Sequence, residues 1–330
     1  MQRFPVIMGA TASGKTSLAV AVARRLIDTG TPAEVISADS VQVYRGLDIG
    51  SAKPTEDERA GVTHRLIDVC DPRERYTVKD WLDGAEDAVA QVRAAGGVPI
   101  VAGGTHLYMK AFLEGLFEGP DPDPALRAQL NDTPLDELRT ELERVDPPAA
   151  ERIHPADQRR TVRALEVFRL TGTPISEHQT QWDHGRRDDA FVVRLAWETP
   201  ELNRRINARV KQMMDAGFLD EVRALVDAGA LGEQARDALG YKQLAAHLRG
   251  ACTLDEAVER IKIDTRRFAK NQRTWLRRLG AAPAEKTQER EENDSRTLPP
   301  TSLTIEGASL SESDGLQTAA MKIITACAAG

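Results

Sequence analysis

The sequence predicts an α/β fold with a parallel β-sheet and a separate all-helical insertion. Short apolar segments alternate with helix-like segments in the first third of the chain, a pattern typical of parallel strands joined by crossover helices. The apolar segments lie at residues 5–8, 34–38, 65–69 and 98–102. The alternation stops near residue 115, where a run rich in Pro and Asp precedes consecutive helical patterns. We therefore expect a core formed by residues 1–115 and 190–330, and a helical insertion at residues 116–189.

Local signals mark the helices of the first part of the core. A helix is expected from Lys15 onward, directly after a glycine-rich turn. Thr77 and Asp80 have the spacing of a capping box, which opens a helix running to residue 95. Gly96-Gly97 then ends this helix before the next strand.

The insertion and the second part of the core carry similar signals. Thr133 is expected to cap a helix that has Pro134 as its first residue. Thr199-Pro200 opens another helix directly after an apolar return strand at residues 190–197. The remaining expectations are helices at 125–130 and 157–170, a flexible linker at 281–300, a strand at 303–305 and a last helix ending near residue 328.

Residues 9–16 carry the pattern G-x-x-x-x-G-K-[ST], immediately after the first apolar segment. Glycines let the backbone curl so that successive N–H groups converge on phosphate oxygens, while Lys15 adds a positive charge and the Thr16 hydroxyl can hold Mg²⁺. The pattern therefore predicts a phosphate-binding loop with Mg²⁺ as cofactor and Thr16 as its protein ligand. The residues expected to contact phosphate are Gly9, Ala10, Thr11, Ala12, Ser13, Gly14, Lys15 and Thr16.

Composition places the chain among ordinary globular proteins. It has 330 residues, of which 41% are hydrophobic and 29% charged, enough to bury a full core. No apolar stretch approaches the roughly 20 residues that span a bilayer, and the first strand leaves no room for a signal peptide. We expect a cytoplasmic protein with no membrane partner, as a monomer. The three cysteines match neither a disulfide framework nor a metal knuckle, and are expected to be small buried apolar residues.

The net charge of −7 argues against indiscriminate nucleic-acid binding, but one region reverses the sign. Residues 260–278 contain eight basic residues against one acid, Asp264. If this region is a helix, its residues form two faces. The face expected to pack consists of Ile261, Thr265, Phe268, Gln272, Trp275 and Leu279, and the basic face consists of Lys262, Arg266, Lys270, Arg273 and Arg277. A strongly basic helix in an acidic protein favours contact with a polyanion.

The run ISADSVQVYRGLDIGSAKP at residues 36–54 resembles the hallmark segment of the tRNA dimethylallyltransferases, also called tRNA isopentenyltransferases. Further blocks of the same family occur in order along nearly the whole chain. They lie at residues 64–68, 101–108, 163–168, 208–222, 240–242 and 265–275. The resemblance implies a P-loop kinase-like core with a helical insertion, in agreement with the layout predicted above.

The resemblance also implies an alkyl transfer. In this family the dimethylallyl group of dimethylallyl diphosphate moves to the exocyclic N6 amine of the adenosine 3′ to the anticodon, in tRNAs that read codons beginning with U, and diphosphate leaves. Breaking an allylic C–O bond builds negative charge on the leaving diphosphate, so the site must stabilise that charge. The phosphate loop would then hold a leaving group, and the partner would be the anticodon stem-loop of tRNA.

Catalytic residues follow from this chemistry and from the family match. The adenine amine must lose a proton as the C–N bond forms, and we assign that proton to the Asp39 carboxylate. The alternative is that Asp39 organises Mg²⁺, as acids do in other P-loop proteins. Thr105 resembles the family threonine at the catalytic pocket, although a plain helix cap is the alternative. Lys242 and, less directly, Arg236 match cations near the diphosphate.

For tRNA, the resemblance implies contacts on both parts of the chain. The target base must leave its stack to reach a buried site, as other base-modifying enzymes require. The core contacts that the resemblance implies are Asp39, Ser40, Val41 and Gln42, and the basic helix is expected to serve likewise through Arg266, Lys270 and Arg273. The contacts on the insertion are Arg127, Arg159, Arg160, Thr161, Val162 and Arg163.

The sequence departs from the family pattern at three places. Ala10 replaces a proline of the phosphate loop, and Asn271 replaces a frequent arginine. Asp237 stands where relatives have glutamine or arginine, which leaves the substrate contact of that loop open. Three other functions also stay open at this point: an adenylate isopentenyltransferase acting on free nucleotide, a small-molecule kinase, and a non-catalytic nucleotide-dependent RNA-binding protein.

Overall fold

The computed structural model describes residues 3–117, 119–178, 187–279, 302–310 and 313–329. Its centre is one six-stranded parallel sheet with the strand order β3-β2-β4-β1-β5-β6. The strands are β1 (Phe4–Met8), β2 (Ala33–Ala38), β3 (His64–Arg65), β4 (Val98–Gly103), β5 (Ala190–Ala196) and β6 (Ser302–Glu306). The predicted α/β class with a parallel sheet is confirmed.

Fourteen α-helices lie in the described part of the chain. They are α1 (Lys15–Asp28), α2 (Glu56–Arg59), α3 (Val78–Ala94), α4 (His106–Glu114), α5 (Pro124–Asp132), α6 (Leu135–Val145), α7 (Pro147–Arg152), α8 (Gln158–Thr171), α9 (Ile175–His178), α10 (Thr199–Asp215), α11 (Phe218–Asp227), α12 (Tyr241–Leu248), α13 (Leu254–Arg278) and α14 (Ser313–Ala328). None of these helices has the length and apolar composition that a membrane crossing requires.

The chain divides into two compact units. The first consists of Met1–Ala111 and Asp188–Gly330 and contains the sheet. Its strands β1 and β4 are buried along their whole length. The second unit, Phe112–Arg187, contains helices α5 to α9. It has an apolar core of its own, formed mainly by Leu130, Leu138, Leu142, Val162, Leu165 and Val167.

The register of the sheet aligns three strand ends. Met8 of β1 and Ala38 of β2 both pair with Gly103 of β4, so the strands end side by side. A Cβ atom on Gly103 would lie 2.2 Å from the Ala38 carbonyl oxygen, so only glycine permits this close approach. Because parallel strands all end at the same edge, the loops that begin at Gly9 and Asp39 leave the sheet at one edge, on either side of the turn that follows β4.

Several predicted boundaries are confirmed. Thr77 and Asp80 form a capping box at the start of α3, and Asp157 caps α8 through the backbone N–H of Arg160. The return strand and the strand near residue 303 are β5 and β6, and the last helix ends at Ala328. The predicted linker at 281–300 lies outside the described residues. The cysteines are unpaired, with Cys70 and Cys327 buried and Cys252 half-buried.

Two boundary predictions were wrong. The strand expected at residues 65–69 ends at Arg65, because Leu66 and Asp68 have φ angles of 59° and 60°, which do not fit a strand. Thr133 does not cap the next helix. Its hydroxyl donates to the carbonyl oxygen of Gln129 on the preceding helix, and α6 begins after Pro134 without a side-chain cap.

The packed face predicted for α13 needs one correction. Ile261, Gln272 and Leu279 are buried as expected, but Phe268 is 39% exposed. Ala269 and Leu276 are buried instead. The helix packs against α10 and α12, and these two contacts select a buried face turned slightly from the one that we predicted.

Candidate active site

The phosphate loop (residues 9–16) connects β1 to α1 at the carboxyl edge of the sheet. Gly14 precedes α1 with a φ angle of 89°, and Ala12 also adopts a left-handed conformation, at 61°. These conformations curl the chain around the amino end of α1, where the first backbone N–H groups have no partner within the helix. The loop therefore has the geometry of an anion cradle, and phosphate binding by residues 9–16 stays a prediction.

Three donors hold the carbonyl groups of the phosphate loop. The Lys15 ammonium donates to the Ala10 oxygen at 2.8 Å, the Arg205 guanidinium to the Ala12 oxygen at 2.8 Å, and the Trp197 indole to the Ser13 oxygen at 3.0 Å. Because these carbonyl oxygens already accept hydrogen bonds, they do not oppose the binding of an anion by the loop amides. Trp197 also stacks beneath Arg205, whose guanidinium carbon lies 4.3 Å from the ring centroid.

Two basic side chains and one acid interact electrostatically at the loop. Burial lowers the pKa of Lys15, repulsion from Arg209 adds to this shift and Asp39 opposes it, and together they bring the pKa to about 8. Burial also lowers the pKa of Arg209, against the attraction of Asp39 and Glu58. Arg209 makes no hydrogen bond or ion pair with a described residue, so its charge is available to an anion.

Arg205 and Arg209 were not among the predicted site residues. They lie four residues apart on α10 and thus share one helix face. Arg209 belongs to a block that resembles the family, and the i, i+4 spacing was the signal that could have identified both. The sequence could not place α10, because its position depends on packing against α13 and α11.

Asp39 opens a turn at the end of β2 (residues 39–42, the Asp39 turn). Its Oδ1 atom accepts hydrogen bonds from the backbone N–H groups of Val41 at 2.9 Å and Gln42 at 3.3 Å. Its Oδ2 atom has no hydrogen-bond partner among the described residues. The carboxylate is half-buried, with one oxygen fixing the turn and the other available for a substrate proton.

Thr105 connects the end of β4 to the Asp39 turn. Its hydroxyl oxygen accepts from the Ser40 backbone N–H at 3.0 Å, and its own N–H donates to the Ala38 carbonyl oxygen at 3.2 Å. The hydroxyl also lies 3.3 Å from the Ser40 hydroxyl. Gln42 adds a further contact, because its amide donates to the carbonyl oxygens of Ser51 and Ala52 at 3.3 and 3.1 Å. Predicted residues from two strand ends thus come together.

The family-like run at residues 36–54 is held in place by α11. The Glu221 carboxylate accepts from three consecutive backbone N–H groups, those of Asp48, Ile49 and Gly50, at 3.1, 2.7 and 3.2 Å. The Tyr241 hydroxyl donates to the same carboxylate at 2.7 Å. No role for Glu221 was predicted, because its three backbone partners lie more than 170 residues away in the sequence.

The residues present fit the Mg²⁺ ion that the phosphate loop implies. The Thr16 hydroxyl stands in the first turn of α1 and has no hydrogen-bond partner among the described residues. No cluster of three or more acidic, His or Cys side chains in the described residues could hold a metal by itself. A Mg²⁺ ion here would therefore take one protein oxygen together with phosphate and water oxygens, which is how Mg²⁺ is usually bound.

Arg236 and Lys242 are exposed, and neither side chain has a hydrogen bond or ion pair with a described residue. Arg236 lies in a short 3₁₀ turn, Ala235–Asp237, and Lys242 in the first turn of α12. In the described part of the chain, the hydrogen bonds to the phosphate loop come from residues other than Arg236 and Lys242. Asp237, one of the three departures from the family pattern, is also exposed.

The basic face of α13 is partly used within the protein. Arg266 donates to the Asn207 side chain at 2.7 Å, and Arg273 donates to the Thr199 hydroxyl at 2.5 Å, so both are turned toward α10. Lys270 is exposed. Of the three predicted tRNA contacts on this helix, Lys270 is the one whose side chain is directed to solvent.

In the helical unit, a buried acid organises two of the predicted arginines. Arg127 and Arg163 donate to the same Glu166 oxygen at 2.5 and 2.6 Å. Burial would raise the pKa of Glu166, but these two arginines outweigh it and lower the pKa. Thr161 and Val162 are buried in the core of this unit. The two remaining predicted residues, Arg159 and Arg160, are exposed.

Two family models and several named relatives match the chain. A family model for IPP transferase matches residues 42–279, and a model for isopentenyl transferase matches residues 2–73. The chain is 46% identical to tRNA dimethylallyltransferase 1 of Citrifermentans bemidjiense over 275 residues, which cover 82% of this chain and 88% of that protein. It is 45% identical to the tRNA dimethylallyltransferase of Anaeromyxobacter dehalogenans over 280 residues, covering 84% and 90% of the two chains.

The chain also superposes on solved structures of enzymes with similar names. The full-length tRNA isopentenylpyrophosphate transferase of Bacillus halodurans superposes with a TM-score of 0.68 at 34% identity, covering 99% of this chain and 97% of that one. A eukaryotic dimethylallyltransferase acting on tRNA superposes with a TM-score of 0.77 at 25% identity, covering 95% of this chain and 76% of that one.

Proposed function

The chain belongs to the IPP transferase family, and from this premise we propose that it transfers a dimethylallyl group from dimethylallyl diphosphate to tRNA. The acceptor is the N6 amine of the adenosine 3′ to the anticodon, in tRNAs that read codons beginning with U. The product is the prenylated tRNA, and diphosphate is released. We assign this reaction to the cytoplasm, where tRNA serves translation.

One observation carries the proposal: the sheet register sets the phosphate loop, the Asp39 turn and Thr105 side by side. Met8, Ala38 and Gly103 are aligned across three strands. The phosphate loop follows Met8, the Asp39 turn follows Ala38, and Thr105 comes two residues after Gly103. A cradle for an anion thus adjoins a carboxylate with an oxygen available for a proton. A transfer that releases diphosphate and deprotonates an amine needs both groups at one place.

The phosphate loop stabilises the leaving group. Negative charge accumulates on diphosphate as the allylic C–O bond breaks, and the loop amides, Lys15 and Arg209 supply positive charge at that point. The carbonyl groups of Ala10, Ala12 and Ser13 are bonded elsewhere and do not oppose it. Mg²⁺, held by Thr16 and the diphosphate, would supply further neutralisation of that charge. We propose Arg236 and Lys242 as additional cations for the diphosphate.

Asp39 acts on the nucleophile. The N6 amine of adenine is a weak nucleophile because its lone pair is delocalised into the ring, and the amine must lose a proton as it forms the new C–N bond. The Asp39 Oδ2 atom accepts this proton while Oδ1 keeps the turn in place. Thr105 orients the turn through Ser40 and presents its hydroxyl at the same edge.

The tRNA partner is bound mainly through its phosphates. Lys270 on α13 and Arg159 and Arg160 on the helical unit are exposed cations suited to phosphate oxygens. Arg127 and Arg163 are held in place by Glu166, so their donors are already oriented before RNA arrives. The target adenosine leaves its stack to reach the Asp39 turn, where residues 39–42 contact it.

The proposal is tested by following a labelled prenyl group. The protein is incubated with Mg²⁺, labelled dimethylallyl diphosphate and unmodified tRNA, with AMP and ATP present as competing substrates. Label in tRNA supports the proposal, and nuclease digestion then locates the modified adenosine. Label in AMP identifies an adenylate isopentenyltransferase, loss of the ATP γ-phosphate identifies a kinase, and the absence of any reaction leaves a binding protein.

A further inference from the structure

We propose that Gln272 is a positioning residue that holds the phosphate loop and the turn formed by Gly104 and Thr105 after β4 (the Thr105 turn) at a fixed separation, and so aligns the prenyl donor with the adenosine. This proposal rests on the proposed function, because it takes the phosphate loop as the site of the prenyl donor and the Thr105 turn as the support of the turn that receives the adenosine. Gln272 was expected only as a packed residue on α13, and the mechanism above does not use it.

The Gln272 carboxamide bridges the two segments directly. Its Oε1 atom accepts from the backbone N–H of Thr11 in the phosphate loop at 2.8 Å. Its Nε2 atom donates to the carbonyl oxygen of Gly104, the residue before Thr105, also at 2.8 Å. The side chain is only 3% exposed, so water cannot easily replace either bond.

The polarity of the two partners explains why an amide is found here. Thr11 offers a donor and Gly104 offers an acceptor, and a carboxamide supplies one group of each kind. A glutamate could not donate to Gly104, and a lysine or arginine could not accept from Thr11. The same pair of partners fixes the orientation of the amide, with oxygen toward the phosphate loop.

The Gly104 end of the bridge is tightly packed. A Cβ atom on Gly104 would lie 2.6 Å from the Gln272 Nε2 atom, 3.1 Å from the Gly9 carbonyl oxygen and 3.4 Å from the Lys15 ammonium. The carboxamide and the Lys15 ammonium therefore both border the same narrow space at Gly104. A shift of the Gln272 side chain would disturb both the loop backbone and the surroundings of Lys15.

This position gives Gln272 control over alignment. The phosphate loop holds the diphosphate, and the Thr105 turn contacts the Asp39 turn that receives the adenosine. A misplacement of about 1 Å between two reacting groups can reduce the rate of a reaction about a hundredfold. Gln272 also lies on the helix that carries Lys270 and Arg273, so one side chain connects the proposed tRNA-binding helix to the diphosphate cradle.

The test compares Gln272→Met with the wild type. Methionine keeps the length and the apolar packing of the side chain but removes both hydrogen bonds. We measure kcat, the Kd of tRNA without prenyl donor, the Kd of inorganic diphosphate with Mg²⁺ and tRNA present, and the melting temperature. We expect kcat to fall about tenfold or more and diphosphate affinity about fivefold, while tRNA affinity stays within about twofold.

Thr265→Val provides the matched control. Thr265 lies two turns earlier on α13 and its hydroxyl donates within the helix to Ile261, at 2.7 Å, so valine removes a hydrogen bond without touching the phosphate loop. This variant should keep kcat and diphosphate affinity within about twofold of the wild type. If Gln272→Met does not fold, Gly104→Ala displaces the same carboxamide from its other end and should give the same losses.

Two results would overturn the proposal. One is a Gln272→Met protein with a lowered melting temperature but unchanged kcat and diphosphate affinity, which would make Gln272 a packing residue. The other is a loss of tRNA affinity with unchanged diphosphate affinity. If the wild type transfers no prenyl group, the proposed function fails. The diphosphate affinities of wild type and variant still decide whether Gln272 organises the loop.

Discussion

The backbone N–H of Val41 donates to the Oδ1 atom of Asp39 at 2.9 Å, which commits that oxygen to the turn. The second oxygen, Oδ2, has no hydrogen-bond partner in the described part of the chain. Substitution can separate this structural role from the proton acceptance that we propose for Asp39, because an amide keeps an acceptor for the turn but cannot take up a proton.

Asp39→Asn should therefore lose activity with little effect on binding. We expect kcat to fall about a hundredfold or more, the usual effect of removing a general base, with the Kd of tRNA within about threefold of the wild type. Asp39→Ala, which also removes the turn contacts, should abolish transfer. Single-turnover kinetics and filter binding measure the two quantities. Weak tRNA binding with normal turnover at saturation would show that Asp39 is not the base.

Arg209→Gln should weaken the handling of diphosphate. Removing a half-buried cation that has no hydrogen-bond or ion-pair partner among the described residues should lower kcat/KM for dimethylallyl diphosphate about tenfold to a hundredfold. Arg204→Gln, on the same helix, is the control, because Arg204 is 77% exposed and its one ion-pair partner in the described part of the chain is Glu201. Steady-state kinetics at saturating tRNA give both values. Equal effects of the two substitutions would contradict the assignment of Arg209.

The pH dependence should report the charge of Lys15. Burial lowers the pKa of this lysine to about 8, so the ammonium is lost as the pH rises through 8. We expect kcat/KM for dimethylallyl diphosphate to fall above pH 8, by up to about tenfold per pH unit. Lys15→Arg remains charged and should lack this decrease. Profiles from pH 6 to 10 at constant ionic strength make the comparison, and a decrease retained in Lys15→Arg would assign it to another group.

Lys270 should contribute to the salt dependence of tRNA binding. The logarithm of the binding constant falls linearly with the logarithm of the salt concentration, with a slope set by the number of phosphates contacted. Lys270→Ala should make this slope smaller by about one unit. Arg24→Ala on α1 removes an exposed charge paired with Asp28, and should leave the slope unchanged. A slope that is the same in Lys270→Ala and wild type would place tRNA elsewhere.

Glu166→Gln should destabilise the helical unit. The substitution removes the charge that holds Arg127 and Arg163, which are themselves 27% and 32% exposed, so the cost should be about 1–3 kcal/mol. Hydrogen exchange should increase in α5 and α8, with the exchange of the sheet unchanged. The affinity for tRNA should also fall, because the two guanidinium groups lose their orientation. Unchanged exchange in α5 and α8 would show that these ion pairs contribute little.

Much of the fold could be predicted because its signals are local. The phosphate loop, the capping box of α3 and the alternation of strands and helices each depend on residues within a few positions of one another. The errors were also local in origin. Leu66 and Asp68 turn the chain out of the strand that their composition favoured, and Thr133 bonds backward to Gln129 instead of forward into α6.

The sequence by itself determined the chemistry of the individual groups: an anion-binding loop, an acid after the second strand and a basic helix. Only the tertiary structure decided which of them meet. The register of three strands aligns the phosphate loop with Asp39 and Thr105, and α10 and α13 bring Arg209 and Gln272 to the same edge. Gln272 and Thr11 are 261 positions apart, and no local spacing encodes such a contact. The contact forms because the buried faces of the helices fit together in one packing arrangement, and this arrangement exists only in the folded chain.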